Sequence, residues 1–276
     1  MAKTSTATRG EDASGEVVAA GTGALPFKQR VFLFHGDKGG VGKSFMFHVF
    51  VDRAHQRGLD VAVIEADTRN PDVIRIFEGQ TVCQMINLRR DDGWMDVIDF
   101  VRAHPNHHIA ISLPAGIGEA MQKDFEDFCG YLKTKVPGKP EVVMFWLINL
   151  FPDSVNLLHT TYQTVGPLIE KIIVVRNLIF GDPDQFFIWD ESPFRAEIER
   201  TGKATTISLP RLHLRVTSKL GADPEGMMPF SQAVQNPEAF KLLESEQWKL
   251  ENFLNKDLIC LLYTSDAAGD LLCVDL

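Results

Sequence analysis

The 276-residue sequence has no apolar run close to the roughly 18 residues that a membrane-spanning helix needs. Its longest apolar run, residues 142–151, has the length of a strand and includes the polar Asn149. The N-terminal residues are small and polar and lack the apolar core of a secretory signal. These absences argue against an integral membrane protein and against an exported one, so we expect a cytoplasmic protein.

Cysteine is also scarce, and half of it lies in an unusual C-terminal segment. The sequence has four cysteines, of which Cys260 and Cys273 belong to residues 260–276. This segment begins CLLYTSDAA and resembles the translated adapter of transposon-based sequencing libraries, so we interpret it as non-native; the alternative is a genuine short strand and turn. The remaining Cys83 and Cys129 are too far apart for a disulfide framework or a zinc knuckle, which fits a reducing cytoplasm.

Basic residues are not in excess either. The net charge is −9, which disfavours a protein that coats nucleic acid over its whole surface. One local stretch, residues 210–219, contains four basic or titratable side chains, at Arg211, His213, Arg215 and Lys219. A solvated face explains this stretch better than a nucleic-acid contact, which stays open but is not favoured. The C-terminal helical segment lacks the basic excess of a membrane-surface helix, so we expect no membrane partner.

The chain is predicted to contain one folded domain. Residues 1–28 are rich in small and polar residues and predict a tail, and residues 29–259 predict the domain. Short apolar runs predict strands at residues 30–35, 60–67, 108–113, 142–149, 171–176 and 205–209, and helical patterns alternate with them. Residues 231–254 predict one long closing helix. Strands that are apolar on both faces and alternate with helices predict an α/β fold with a doubly wound, mostly parallel sheet.

The sequence GDKGGVGKS, residues 36–44, lies between the first strand and the first helix. Its glycines allow the backbone amides to approach phosphate oxygens, Lys43 can reach the β- and γ-phosphates, and the Ser44 hydroxyl can bind Mg²⁺. Asp37 stands where the standard G-x-x-x-x-G-K-[ST] pattern has its first glycine. The setting predicts a P-loop NTPase whose nucleotide-binding residues include Asp37, Lys38, Gly39, Gly40, Val41, Gly42, Lys43, Ser44 and Phe45. The alternative is a glycine-rich turn without a ligand.

The segment KGGVGKS resembles the deviant phosphate loop (deviant Walker A) of the ParA/MinD family of ATPases. The resemblance extends over most of residues 29–235, although specific motifs cover only part of that range. It implies ATP and Mg²⁺ as ligands and an ATP-dependent homodimer. In the family, the lysine corresponding to Lys38 reaches across the dimer to the partner's nucleotide, so Lys38 is interpreted as a catalytic residue. The alternative is a solvated lysine.

Three further segments resemble the same family. VIEAD is similar to its first switch, which implies that Asp67 holds the attacking water or, with Ser44, the Mg²⁺, and that Glu65 takes the place of the other carboxylate. VVRN resembles a strand whose final asparagine, here Asn177, lies at the adenine. SLPR resembles the segment whose proline, here Pro210, closes over the base. The alternative for the two carboxylates is that they merely end a strand.

One position departs from the family pattern. ISLPAGIG resembles the second switch of MinD, but Ser112 stands where the family has aspartate. Loss of that carboxylate weakens Mg²⁺ binding, so nucleotide binding is expected to be more secure than rapid hydrolysis. On this basis Ser112→Asp is expected to tighten Mg²⁺ use and raise hydrolysis.

The sequence therefore predicts an ATP-binding switch protein, a weak Mg²⁺-dependent ATPase that dimerises with ATP. Ser112 and the segment NLIFGDPDQFF most resemble plasmid-borne accessory ATPases of mobilisation or stability, MobD-like or TraL-like, so a protein partner from plasmid machinery is expected. The aromatic residues 186–189 within and after this segment are compatible with a buried anchor or with a partner-docking loop. The alternatives are a non-hydrolysing nucleotide sensor that acts by partner binding and a small-molecule kinase.

Overall fold

The computed structural model of the protein describes residues 27–36, 39–221 and 227–255. Asp37 and Lys38 lie outside these ranges, as do most of the predicted tail 1–28 and all of residues 260–276. Within the described ranges, no helix combines the length and the apolar character that a membrane crossing demands.

Seven parallel strands form one sheet in the order β3-β2-β4-β1-β5-β6-β7. The strands are β1 (Arg30–His35), β2 (Val61–Glu65), β3 (Cys83–Met85), β4 (His108–Ser112), β5 (Glu141–Ile148), β6 (Lys171–Asn177) and β7 (Ala204–Leu209). The glycine loop leaves the central strand β1 and enters the first helix. This arrangement confirms the predicted α/β fold of P-loop NTPase type with a doubly wound parallel sheet.

Helices cover both faces of the sheet. They are α1 (Lys43–Gln56), α2 (Asp72–Phe77), α3 (Gly93–Ala103), α4 (Gly118–Lys135), α5 (Pro152–Val165), α6 (Phe187–Asp190), α7 (Pro193–Arg200), α8 (Leu214–Leu220), α9 (Phe230–Gln235) and α10 (Glu244–Asn255). One face packs under α1, α2 and α8–α10, and the other under α3–α7. Strands buried on both faces explain why their apolar residues form continuous runs.

Aromatic side chains fill the layer between the sheet and α1. Phe34 and Phe145 stack with their ring centroids 4.7 Å apart, and Phe47 and Phe50 meet Phe34 edge-on. All four are fully buried, and each such side chain contributes roughly 1.5–3 kcal/mol of hydrophobic stabilisation. This packing fixes α1, and therefore the loop before it, against the carboxyl ends of the central strands.

The segment containing residues 186–189 is a buried anchor with one exposed ring. Phe186 and Trp189 are buried, and the Trp189 indole donates a hydrogen bond to Thr206 Oγ1 at 3.0 Å. Asp190 accepts from Arg176 on the adjacent strand, which ties this segment to the sheet. Phe187 alone remains more than half exposed. The burial of Phe186 and Trp189 bears out the buried-anchor interpretation, and the partner-docking interpretation stays a prediction.

The structure differs from the sequence-based prediction at β3 and at the closing helix. β3 was not predicted, because its three residues are half-buried or exposed and form no apolar run. The predicted long helix 231–254 is instead α9, a 3₁₀ turn at Pro237–Phe240 and α10. Pro237 cannot donate a helical hydrogen bond, and Lys241 adopts a left-handed conformation with φ of 51°, so the helix ends and restarts there.

Candidate functional site

Glycines shape the loop between β1 and α1. Gly40 and Gly42 have φ angles of 78° and 99°, a region that other residues rarely adopt. At Gly36 a Cβ atom would lie 2.7 Å from Val41 Cγ1, so that position has no room for a side chain. The loop thereby turns tightly from β1 into α1 with its backbone close to the strand ends.

The N-terminus of α1 is suited to an anion. Gly42 is the N-cap and brings no side chain to the first amide groups, and no acidic residue lies in the first turn. The first four amides of a helix lack partners inside it and have a partial positive charge. Lys43 begins this helix half-buried, and Ser44 beside it is exposed. A phosphate group is the kind of ligand that such a terminus favours.

His35 is a buried residue at the end of β1, and the positive charge of Lys43 affects its pKa. The imidazole is fully buried and lies edge-on to Trp146, with ring centroids 4.4 Å apart. Burial is the larger cause that lowers the pKa of His35 to about 3, and the positive charge of Lys43 adds to it. The ring is therefore neutral at physiological pH. Its contacts are those of a packing residue under the loop.

Asn177, at the end of β6, holds the loop from behind. Its Nδ2 donates to the Val41 carbonyl at 2.9 Å, and its Oδ1 accepts from the amide of Ile179 at 3.2 Å. The side chain is buried, so these bonds form away from water. The structure thus engages both ends of the amide in protein contacts, although the resemblance had placed Asn177 at a base.

A cleft of about 230 Å³ opens beside the loop. Five residues predicted as nucleotide-binding line it: Gly40, Gly42, Phe45, Asn177 and Pro210. They come from the loop, α1, the end of β6 and the segment after β7, which the parallel topology brings to one edge of the sheet. The cleft is smaller than most complete ligand sites, and its size suits one end of an elongated ligand.

Glu65 ends β2, and a second acidic residue, Asp67, follows two positions later. Glu65 is buried, and its oxygens accept from the amides of Asp67 at 3.0 Å and Val73 at 3.2 Å. Burial raises the pKa of Glu65 to about 7, against these hydrogen bonds, which lower it. Asp67 is half-buried, and its Oδ1 caps its own turn by accepting from the amides of Arg69 and Asn70. Among the described residues, its Oδ2 has no hydrogen-bond partner, so it is available to a ligand.

Ser112 lies between Glu65 and the strand that leads into the loop. It pairs in register with Glu65 of β2 on one side and with Phe34 of β1 on the other. It is buried, and its hydroxyl is one of the groups that lower the pKa of Glu65, against the larger effect of burial. Ser112 therefore supplies no carboxylate at this position of β4, and the Glu65 carboxyl group lies beside it on the neighbouring strand β2.

Comparison with known proteins identifies a relative. No family model matches the chain. Over 190 residues it is 31% identical to the protein MobD from Acidithiobacillus ferrooxidans, a match that covers 69% of this chain and 81% of that protein. The chain belongs to the MobD family.

Two solved structures have similar folds. MinD from Aquifex aeolicus matches with a TM-score of 0.42 and 15% identity, over 81% of this chain and 94% of its own. Chloroplast FtsY from Physcomitrella patens matches with a TM-score of 0.47 and 10% identity, over 83% of this chain and 66% of its own. At these scores neither match bears on the function of this MobD-family chain.

Sequence reasoning missed four residues of the cleft in this MobD-family chain: Ile179, Arg211, Leu212 and Thr217. Arg211 lies both in the basic stretch 210–219 and at the end of SLPR, the segment whose proline was predicted at the base. Ile179 had one available signal, an apolar residue directly after a strand-ending asparagine, and it is 54% exposed. Thr217 belongs to α8, which the sequence did not predict, and only the packing of α8 beside the loop brings it to the cleft.

The contact between Ser112 and Glu65 changes the expected effect of Ser112→Asp. A second carboxyl group beside buried Glu65 would create like-charge repulsion between neighbouring strands, at about 1–3 kcal/mol. We now expect a lower melting temperature at pH 7 and no gain in hydrolysis. Because repulsion keeps a proton on the pair, the deficit should shrink as the pH falls to 5. Thermal unfolding at both pH values checks this.

The matched control is Ser112→Asp combined with Glu65→Gln, which leaves one carboxyl group at this place. We expect it to recover stability at pH 7 and to release phosphate faster than Ser112→Asp alone. A single Ser112→Asp variant as stable as wild type at pH 7 would contradict the proposed repulsion.

Proposed function

We propose that this chain is a nucleotide-binding switch protein that binds Mg-ATP at the loop between β1 and α1. The observation that supports this most is the cleft, because five residues predicted from separate segments line it together. Beside it lies a helix N-terminus without an acidic first turn. The phosphates would occupy the loop and the base would enter the cleft.

The residues at the loop fit these ligands. The amides of the loop and of α1 would donate to phosphate oxygens, and Lys43 would balance their charge. The Ser44 hydroxyl and the Asp67 carboxylate are oxygen donors of the kind that Mg²⁺ prefers, and Mg²⁺ commonly binds one or two carboxylates besides phosphate and water. When bound, Mg²⁺ supplies positive charge to the β- and γ-phosphate oxygens.

Hydrolysis is proposed to be slow. Asp67 would orient the attacking water, with its backbone amide held by Glu65. Ser112 brings no charge to the second switch, and the nearby Glu65 has a raised pKa and accepts two backbone hydrogen bonds. The same observation favours a second candidate function, a nucleotide sensor that binds ATP without hydrolysing it and acts through a partner.

The proposed biological role is in bacterial plasmid mobilisation, partition or stability. Membership of the MobD family and the deviant phosphate loop that resembles ParA/MinD ATPases support it. The proposed setting is the cytoplasm, with a homodimer and a protein partner from plasmid machinery. A TraL-like role is a further form of the same proposal.

Replacing Lys43 by alanine tests nucleotide binding. The substitution removes the charge that faces the β- and γ-phosphates, and we expect ATP affinity to fall by about 100-fold or more. Titration calorimetry with Mg-ATP measures this. The matched control is Lys135→Ala at the exposed end of α4, which should bind as wild type.

Wild-type ATP affinity in Lys43→Ala would remove the loop from the proposal. Phosphate release by the wild type then separates the two candidate functions. Slow, Mg²⁺-dependent release supports the switch ATPase, whereas tight binding without release supports the sensor.

A further inference from the structure

A second groove lies next to the cleft, between the N-terminal side of α8 and the last turns of α10. It encloses about 650 Å³ and shares two of its residues, Arg211 and Leu212, with the cleft. Its lining contains basic, aromatic and amide side chains and no carboxylate: Arg211, Leu212, His213, Trp248, Lys249, Asn252, Phe253 and Asn255. On a chain of net charge −9, a groove of this composition is a local exception.

An ion-pair cluster holds the two walls together. Glu246 of α10 is buried and pairs with Arg215 at 2.9 Å and with Lys219, both on α8. The single negative charge of Glu246 is thus shared by two cations, of which Arg215 is 64% exposed and Lys219 is partly buried. Within the described ranges, Arg211 and Lys249 have no ion-pair partner, so their charges face the groove and solvent.

Acidic groups near the groove are few and partly engaged. Glu251 accepts a hydrogen bond from Gln247 and does not line the groove. Glu244 lies one turn before Trp248 on α10 and is exposed. The charge that a ligand in the groove would meet is thus positive.

Trp248 is exposed in a way that the other tryptophans are not. Its exposure is 57%, whereas the other three, at positions 94, 146 and 189, are at most 3% exposed. Lys249 Nζ lies 5.1 Å from the centroid of the Trp248 ring. Trp248, Asn252 and Asn255 are spaced along one face of α10, so an aromatic surface and two amide groups follow one another in the groove.

We propose that this groove binds single-stranded nucleic acid. A base would stack on Trp248, Arg211 and Lys249 would bind phosphates, and the amides of Asn252 and Asn255 would contact base edges. An acidic peptide would satisfy the cations but would leave the exposed indole and the two amides without a matching partner. A duplex offers its bases only inside grooves and cannot stack on an indole.

The sequence alone did not favour a nucleic-acid contact, because the basic stretch 210–219 contains only part of the groove. Two of the cations in residues 210–219, Arg215 and Lys219, are engaged by Glu246. The residues that complete the groove lie on α10, about 35 positions further along the chain, and reach it only through tertiary packing.

Fluorescence polarisation with a labelled oligothymidylate tests the proposal on the full chain without nucleotide. We expect binding that weakens with salt, and we expect Trp248→Ala to weaken it by about tenfold. Trp248→Phe keeps an aromatic face and should retain most of the affinity. Lys249→Ala should weaken the salt dependence, reducing the magnitude of the slope of log affinity against log salt by about 0.7. Lys135→Ala is the matched control and should change neither quantity.

Thermal unfolding checks that each variant is folded. We expect folded variants because Trp248 and Lys249 are exposed. Equal binding by Trp248→Ala and wild type, or equal affinity for a duplex, would overturn the proposal. Binding of a polyglutamate peptide in place of the oligonucleotide would overturn it too and would indicate a protein partner. Lys43→Ala should bind the oligonucleotide as wild type does, so this test is independent of the ATP site.

Discussion

Replacing Gly42 by alanine is expected to abolish ATP binding and to lower the free energy of unfolding by about 3 kcal/mol. Gly42 has a φ of 99°, and a Cβ atom there would lie 2.3 Å from Asn177 Nδ2. Asn177 cannot move away freely, because its Nδ2 donates to Val41 in a buried position. The new methyl group must therefore break that bond or shift the loop away from α1. Urea unfolding and ATP calorimetry measure the two effects.

Gly58→Ala is the matched control for backbone strain. Gly58 also has a positive φ, 74°, but no atom lies within 4 Å of where its Cβ would be. Its substitution should cost about 1 kcal/mol and leave ATP binding unchanged. If Gly42→Ala costs no more than Gly58→Ala, the Asn177 contact does not hold the loop.

The strands could be predicted because burial on both faces leaves a direct trace in the sequence. β1 was predicted with its exact ends, since Arg30 and the loop glycines bound a short apolar run. β3 leaves no such trace, because it is a short edge strand whose residues meet solvent. The break in the closing helix was available at Pro237, but the apolar spacing on either side obscured it.

The candidate site also has one part that the local sequence predicts and another that depends on tertiary structure. The loop is local, so its glycines and Lys43 identify it from sequence alone. The contact of Ser112 with Glu65 depends on the register of β2 and β4, which no local pattern specifies. The groove at Trp248 depends on the packing of α8 against α10. The local sequence therefore identified the glycine loop, whereas tertiary structure was needed to find the residues that pack around the loop.

The second large expected effect is dimerisation by ATP. We expect Mg-ATP, or a slowly hydrolysed analogue, to convert monomer to dimer in solution, while ADP does not. In the proposed site, Lys43 would approach the γ-phosphate of the nucleotide bound to its own chain. The charge of Lys38, which lies outside the described residues, would then be available to the nucleotide of a facing copy. Two lysines exchanged across a two-fold axis would offset part of the repulsion between two bound ATP molecules. ADP lacks the γ-phosphate and gives each lysine less to bind.

The surface around the loop supports this expectation. Gly39 and Gly40 are exposed. Phe151 and Ile179 are 63% and 54% exposed, and they follow the carboxyl ends of β5 and β6, which are adjacent strands. Ile179 also lines the cleft, and a contiguous apolar patch at this edge would be typical of a surface that a partner covers. A second copy that faced this edge would bury them together with the nucleotide.

Light scattering with Lys38→Ala decides whether the lysine links the two copies. The variant should still bind ATP through Lys43 and the loop amides, yet remain monomeric at protein concentrations where the wild type dimerises. Lys38→Arg keeps the charge and is the matched control, so partial dimerisation is expected for it. If ATP-bound Lys38→Ala dimerises as the wild type does, the exchange of lysines is wrong, and the apolar residues at the edge would have to account for association. Phe151→Ser would then be the variant that loses the dimer, because it removes the most exposed of those side chains without altering the loop.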